Sequence, residues 1–181
     1  WYGYKKLPIG TIINGADCEK DAMNYAKIVC MMKNTYGNLA FKRSGKDLNE
    51  LQEAPQLYRK LLAKQPDHSV VVISTGFSTN LSRLLATTAD RCSPLNGKKL
   101  VAKKVKLLVM MAGSFNNTGL CEYNVAKDIK AATNVFKNWP TEIVTSPFEV
   151  GISITYPGVS IEKDFSWTFL HPVVEAYKSY K

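Results

Sequence analysis

The chain has 181 residues, of which 45% are hydrophobic, and its formal net charge is +9. This length and composition predict a single compact domain over residues 1–181, or a large piece of a bigger one. No apolar run reaches the roughly 18 residues that a membrane-spanning helix needs, so a membrane span is excluded and no membrane partner is expected. Residues 1–6 lack the apolar segment of a signal peptide. The compartment, including export after removal of a signal, is left open.

The cysteines and the lysines argue against two kinds of site. The cysteines lie at positions 18, 30, 92 and 121, too far apart for a C-x-x-C pair, which argues against a zinc cage or a redox motif. Five lysines fall within residues 98–106 and could meet a polyanion. Because no aromatic residue is interleaved with them, a solvated helix face is the better interpretation. A nucleic acid partner is therefore not expected.

The first third of the chain predicts one short strand and two helices. Residues 8–13 are typical of a strand, and a helix is predicted from about Glu19. Ser44 and Asp47 have the spacing of an N-terminal cap for a second helix. Pro55 either kinks this second helix or marks its true start.

The middle of the chain alternates apolar strands with capped helices. The predicted strands are residues 69–74, 106–111 and 141–145. The first of them contains four consecutive β-branched apolar residues, which is typical of a strand buried on both faces. Thr79 and Asp128 can cap the helices that follow the first two strands, and Pro172 begins the last helix. The alternation predicts a three-layer α/β fold, with a mainly parallel sheet flanked by helices.

In such a sheet, ligands bind beyond the carboxyl ends of the strands. The strands at 70–74 and 106–111 are expected to be adjacent and central, so residues 75–80 and 112–124 are the loops that should form the site. Both loops are polar. The sequence contains no Gly-x-Gly-x-x-Gly, Walker lysine loop or Gly-x-Ser-x-Gly motif, which argues against the nucleotide sites and the hydrolase nucleophile that those motifs mark.

Two ordered segments carry a family resemblance. Residues 70–81 end in Gly-Phe-Ser-Thr-Asn-Leu, which is similar to a strand followed by a Gly-x-x-Thr-Asn-Leu loop. Residues 110–132 contain Met-Ala-Gly, then Asn-Asn, Glu-Tyr-Asn and Asp-x-x-Ala-Ala, similar to Met-Gly-Gly, Gly-Asn, Glu-Phe-Asn and Asp-x-x-Ala-Ala. In this order and at this spacing, residues 48–151 resemble the inosine/uridine-preferring nucleoside hydrolase family.

The resemblance implies hydrolysis of the N-glycosidic bond of ribonucleosides at a calcium site. Calcium prefers carboxylate and carbonyl oxygens, and groups that grip the ribose hydroxyls stabilise the oxocarbenium-like transition state. By resemblance, the backbone carbonyl of Thr79 is a calcium ligand. Glu122 and Asn124 bind ribose hydroxyls, and Asn116 or Asn117 faces the 5′-hydroxyl. Thr79, Glu122 and Asn124 are expected to converge on one cleft that takes a nucleoside or another ribose-containing molecule; a homo-oligomer is left open.

Each of these residues also has a simpler interpretation. Thr79 can be only a helix cap, Glu122 an exposed loop acid and Asn124 a turn former. Asp128 is interpreted as a helix cap and is not assigned to the site.

The sequence departs from the family at both ends. The family begins with an Asp-rich strand end that supplies calcium ligands and the general base. Residues 15–22 contain Asp17 and Asp21 but no paired aspartates, and Lys20 would repel the ion. A further family aspartate and a histidine acting on the leaving base are not matched. We therefore assign no catalytic residue and expect a central portion of the fold.

These departures leave three functions open. The first is a nucleoside N-ribohydrolase that is active in its complete form. The alternative is a catalytically inactive nucleoside hydrolase-like binding or structural protein, or a fragment. A basic nucleic-acid-binding module is the least favoured hypothesis, because the sequence has no motif for it.

Overall fold

The computed structural model describes residues 6–18, 25–41, 50–116, 119 and 121–180. The described strands are β1 (Gly10–Thr11), β2 (Gln52–Glu53), β3 (Val70–Ser74), β4 (Val105–Met111) and β5 (Glu142–Ser146). The described helices are α1 (Tyr25–Met31), α2 (Ala54–Leu62), α3 (Thr79–Leu85), α4 (Gly97–Lys104), α5 (Tyr123–Ala126), α6 (Ile129–Asn138), α7 (Phe148–Ser153), α8 (Gly158–Lys163) and α9 (Pro172–Ser179). None of these described helices is long and apolar enough to cross a membrane.

The chain divides into two compact units. Unit 1 consists of Trp1–Ala16 and Asp47–Ser153, and unit 2 of Asp17–Lys46 and Ile154–Lys181. The assignment of residues 1–181 to a single domain stays a prediction. Pro55 lies in the first turn of α2, which confirms that this proline marks a helix start. The predicted cap at Ser44 and Asp47 falls outside the described residues.

The principal sheet of unit 1 is parallel and has the order β3-β4-β5. Val72 pairs with Leu108, and Leu108 pairs with Ile143. The predicted α/β fold with a parallel sheet flanked by helices is confirmed, and β3 and β4 are neighbours as expected. Only β4 is central, however, because β3 forms an edge of this sheet among the described residues.

The hydrophobic core lies between one face of this sheet and the helices α3, α4 and α6. Leu81, Leu84, Val101 and Val135 are fully buried in it, together with Leu108 of β4. Each buried leucine or valine contributes about 1.5–3 kcal/mol relative to an exposed one. Apolar residues at helical spacing on three helices therefore hold the sheet from this side.

The opposite face of the sheet is more exposed. Val71 is 48% exposed and Ile73 69% exposed, whereas Val72 between them is only 6% exposed. Successive side chains of a strand point to opposite faces, so a continuous apolar run predicts the strand but not which faces are covered. The prediction that this strand is buried on both faces is wrong for Val71 and Ile73.

A buried arginine fastens α2 to the segment that precedes α4. The Arg59 side chain is 1% exposed and donates hydrogen bonds to both carboxylate oxygens of Asp90, at 2.8 and 2.9 Å. It also donates to the Thr87 hydroxyl and to the carbonyls of Ser93 and Leu95. The Arg59 hydrogen bond, together with backbone N–H donors, holds the pKa of Asp90 well below its usual value. Such a buried charge is stable only because its donors are paired.

A second, two-stranded parallel sheet joins β1 to β2, with Gly10 opposite Gln52. Arg83 of α3 donates to the carbonyls of Ile13 and Asn14, at 2.6 and 2.7 Å, and forms an ion pair with Glu53. These bonds fix the chain after β1 beside α3, where it contributes to the cavity described below.

The described helices of unit 2 are α1, α8 and α9. His171 is 3% exposed, stacks on Phe165 with the ring centroids 4.2 Å apart, and accepts a hydrogen bond from the backbone N–H of Val173. His171 is therefore the N-terminal cap of α9, and Pro172 begins that helix as predicted.

Candidate functional site

A cavity of about 320 Å³ opens at the carboxyl end of β3. It is lined by residues 73–77 at the end of that strand, by Thr79 and Asn80 of α3, and by Ile12, Ala16 and Tyr58. Burial raises the pKa of the Tyr58 hydroxyl, so the phenol stays neutral and can donate a hydrogen bond. The cavity has the position expected for a ligand site in a parallel sheet, and its volume lies at the small end for such sites.

Thr79 links this cavity to the start of α6. Its hydroxyl donates a 2.6 Å hydrogen bond to Oδ2 of Asp128, and Oδ1 of Asp128 accepts from the backbone N–H of Ala131. Asp128 therefore caps α6, as predicted. The expectation that Thr79 caps α3 is wrong, because the N-cap is Ser78 and the Thr79 side chain instead binds Asp128. The role of the Thr79 carbonyl as a metal ligand stays a prediction.

Glu122 is a buried carboxylate rather than an exposed loop acid. It is 6% exposed; its Oε1 accepts from the N–H of Asn124, and its Oε2 accepts from those of Gly113 and Val125, at 2.8 to 3.2 Å. It thereby caps α5 and holds the loop that follows β4. A carboxylate offers about four acceptor positions, so these three backbone donors leave one position, on Oε1, for a sugar hydroxyl.

Asn124 is tied to the end of β4. Its side-chain amide donates to the carbonyl oxygen of Met111 at 3.1 Å and lies 3.0 Å from the Met111 sulfur. The preceding residue, Tyr123, contacts Phe77 of the loop after β3, with the ring centroids 5.6 Å apart. The two predicted loops are therefore neighbours, but Glu122 and Asn124 contact the end of β4 and do not belong to the lining of the cavity that contains Thr79.

Asn116 is exposed, and its backbone N–H donates to Glu149 at 2.9 Å. Asn117 lies outside the described residues. Glu149, in α7, was not singled out by sequence reasoning. Its Oε1 also accepts from the Ser114 hydroxyl at 2.6 Å and from the Phe115 N–H at 2.8 Å. The Ser114 hydroxyl and these backbone donors lower the pKa of Glu149 to about 2. One feature of the sequence pointed to Glu149: it is an acidic residue just after the predicted strand at 141–145, at the edge of the sheet where the site was expected.

The described residues do not fit a complete calcium site. Among them, no group of three or more histidine, cysteine, aspartate or glutamate side chains is placed to hold a metal ion. The carboxylates of Glu122 and Asp128 accept hydrogen bonds through both oxygens, and the carboxylate of Glu149 accepts three through Oε1. Asp17 is described and Asp21 is not. We therefore derive no reaction step through a metal ion; what these residues can do is position two loops and present polar groups beside a cavity.

Comparison with known proteins identifies the family. Curated protein sequences give no match. Among solved structures, the inosine-uridine preferring nucleoside hydrolase from Bacillus anthracis is similar, with a TM-score of 0.51 and 18% sequence identity. That match covers 81% of this chain and 46% of the other, so the chain spans about half the length of that structure. At this identity the likeness shows the fold.

The family model described as inosine-uridine preferring nucleoside hydrolase matches residues 13–181. The match contains residues 48–151, from which the resemblance was inferred, and extends beyond them on both sides. The chain belongs to the inosine-uridine preferring nucleoside hydrolase family.

Proposed function

We propose that this chain supplies the ribose-binding loops of a nucleoside N-ribohydrolase, which in its complete form hydrolyses the N-glycosidic bond of ribonucleosides. Membership of the family supports a nucleoside as the substrate. In the proposed assignment, Glu122 and Asn124 contact ribose hydroxyls, and Asn116 or Asn117 contacts the 5′-hydroxyl. Hydrogen bonds of this kind contribute most when they strengthen as the sugar becomes an oxocarbenium-like species.

The observation that carries this proposal is the joining of the two loops at the carboxyl edge of the sheet. The Thr79–Asp128 hydrogen bond and the Phe77–Tyr123 ring contact hold the start of α3 beside the start of α6 and α5. The 320 Å³ cavity lies on the β3 side of this junction. Loops that follow neighbouring parallel strands meet at one edge of the sheet, so their polar side chains can bind the hydroxyls of one ribose ring.

Calcium is the proposed metal of the complete protein, with the Thr79 carbonyl as one ligand. The family is one of metal-dependent hydrolases. When bound, a calcium ion would hold and polarise a water molecule and the ribose diol. The carboxylates that such an ion requires are not gathered among the described residues.

A second candidate is a protein that binds nucleosides without hydrolysing them. This candidate is favoured because two carboxylates already accept hydrogen bonds from the protein. Glu122 accepts from three backbone N–H groups, and Asp128 accepts from the Thr79 hydroxyl and from the N–H of Ala131 at the start of α6. Neither carboxylate is placed as a general base.

The test is incubation of the purified chain with calcium and inosine or uridine, with free base and ribose measured over time. We expect binding with little or no turnover, because loss of a general base alone removes about 100- to 10,000-fold in rate. Turnover at an ordinary enzymatic rate that a chelator abolishes would contradict this expectation and identify a complete metal site.

Binding is measured separately, by calorimetry with inosine. Asn116→Ala should weaken it by roughly tenfold, the effect of losing one hydrogen bond of about 1.5 kcal/mol. The matched control is Asn138→Ala, which removes another exposed asparagine, at the end of α6. Equal affinity of wild type and both variants would remove Asn116 from the site, and no binding by the wild type would reject the proposed function.

A further inference from the structure

Glu149 concentrates three donors from one loop on a single oxygen. The Ser114 hydroxyl and the backbone N–H groups of Phe115 and Asn116 all reach its Oε1, at distances of 2.6 to 2.9 Å. Consecutive backbone N–H groups that point at one anion form a concave anion-binding arrangement. Hydrogen bonds to an ionised acceptor are shorter and roughly twice as strong as neutral ones. The carboxylate therefore determines the local path of the loop.

The same loop is held at its start by other partners. Gly113 donates its N–H to Glu122 at 3.1 Å, and its carbonyl accepts from the N–H of Phe148 at 2.9 Å. Residues 113–116 are thus held without a break, first by Glu122 and then by Glu149. Glu149 is the partner that holds the distal part, where Asn116 lies.

The second oxygen of Glu149 differs from the first. Oε2 is buried and has no hydrogen-bond partner among the described residues. A buried acceptor without a donor is unfavourable, and such groups are uncommon in native structures. The ionised form nevertheless persists, since the donors on Oε1 hold the pKa of Glu149 near 2.

We infer that Glu149 is a positioning residue for sugar binding: its carboxylate fixes the loop of residues 113–116 and thereby directs Asn116 toward a ribose hydroxyl. This inference rests on the proposed function, because the contact between Asn116 and the sugar is part of that proposal. It adds a residue outside the two segments that carry the family resemblance.

The test compares Glu149→Gln with Glu142→Gln. Both substitutions remove one negative charge near β5, but Glu142 is exposed on that strand. Amide hydrogen exchange at Phe115 and Asn116 reports the order of the loop directly. We expect exchange to be about tenfold faster or more in Glu149→Gln, since charge-assisted bonds become neutral ones, and unchanged in Glu142→Gln. Calorimetry with inosine should show affinity reduced by roughly tenfold in Glu149→Gln only.

Ser114→Ala serves as a second variant if Glu149→Gln fails to fold. It removes one of the three donors and leaves the charge, so exchange should change in the same direction by a smaller factor. Unchanged exchange and unchanged inosine affinity in both variants would overturn the inference while leaving the proposed function intact. If the wild type binds no inosine, the proposed function fails, and exchange at Asn116 alone decides whether Glu149 orders the loop.

The pH dependence gives a further check on the same carboxylate. Because the pKa of Glu149 is lowered to about 2 from a usual value of 4.5, its stabilising effect is complete above about pH 5. It is lost as the pH falls toward 2. Protection of the Phe115 and Asn116 amides should therefore persist at pH 4 and fall near pH 2. Loss of protection centred at pH 4.5 would show that the Glu149 carboxylate does not hold the loop.

Discussion

The loops that follow β3 and β4 differ in how their polar groups are used. The loop after β3 surrounds a cavity of about 320 Å³, and Gly76 within it has open space around it. The loop after β4 is tied by the buried carboxylate of Glu122 and by Glu149. In the first loop the Thr79 hydroxyl binds Asp128, whereas the second loop is fixed by two carboxylates that accept six hydrogen bonds between them. A binding site at this edge thus combines an open part with a preorganised part, which lowers the entropy lost on binding.

The largest expected effect comes from removing the carboxylate that ties the loop after β4. Glu122→Ala leaves three backbone N–H groups without their acceptor. We expect the free energy of unfolding to fall by about 3 kcal/mol, since each unpaired buried donor costs about 1–3 kcal/mol and water can reach part of this site. Urea denaturation measures it. Glu142→Ala removes an exposed acid and should stay within about 0.5 kcal/mol of wild type. Equal losses of unfolding free energy in the two variants would show that Glu122 does not stabilise the loop after β4.

An intermediate effect is expected at the hydrogen bond that joins the two loops. Thr79→Val removes the hydroxyl that binds Asp128, and Asp128→Ala removes both that bond and the cap of α6. We expect losses of about 1.5 kcal/mol and about 2.5 kcal/mol respectively. The double variant should lose less than the sum of the two, because both changes remove the same bond. Additive losses in the double-mutant cycle would show that the bond contributes nothing.

The smallest effects distinguish the two loops through their glycines. Gly113 has φ +86°, and a Cβ there would lie 3.3 Å from the Phe115 ring, whereas a Cβ at Gly76 meets nothing within 4 Å. Gly113→Ala should destabilise by about 1–2 kcal/mol, because the left-handed region is unfavourable for alanine. Gly76→Ala should be neutral or more stable by about 0.5 kcal/mol. Thermal unfolding of both variants decides this, and a larger loss at Gly76 would reverse the comparison.

Much of the strand and helix assignment follows from local pattern. The apolar run at residues 70–73, the cap at Asp128 and the helix start at Pro172 predict elements that the structure contains. The ordered motifs at residues 70–81 and 110–132 were sufficient to identify the family, because each motif joins a strand end to the following helix at a fixed spacing. These patterns involve residues within a few positions of each other, so they predict local structure without knowledge of the fold.

What the sequence by itself determined was the parallel α/β architecture, the family and the edge of the sheet at which the candidate site residues lie. Tertiary structure alone decided how the polar groups at that edge are used. Thr79 binds Asp128 across 49 positions of the chain, and Glu149 holds a loop whose nearest donor lies 33 positions away. It also decided which face of β3 is covered, leaving Ile73 exposed. The physical reason is that a hydrogen bond or a buried face depends on which segments meet in space, and local periodicity contains no information about that meeting.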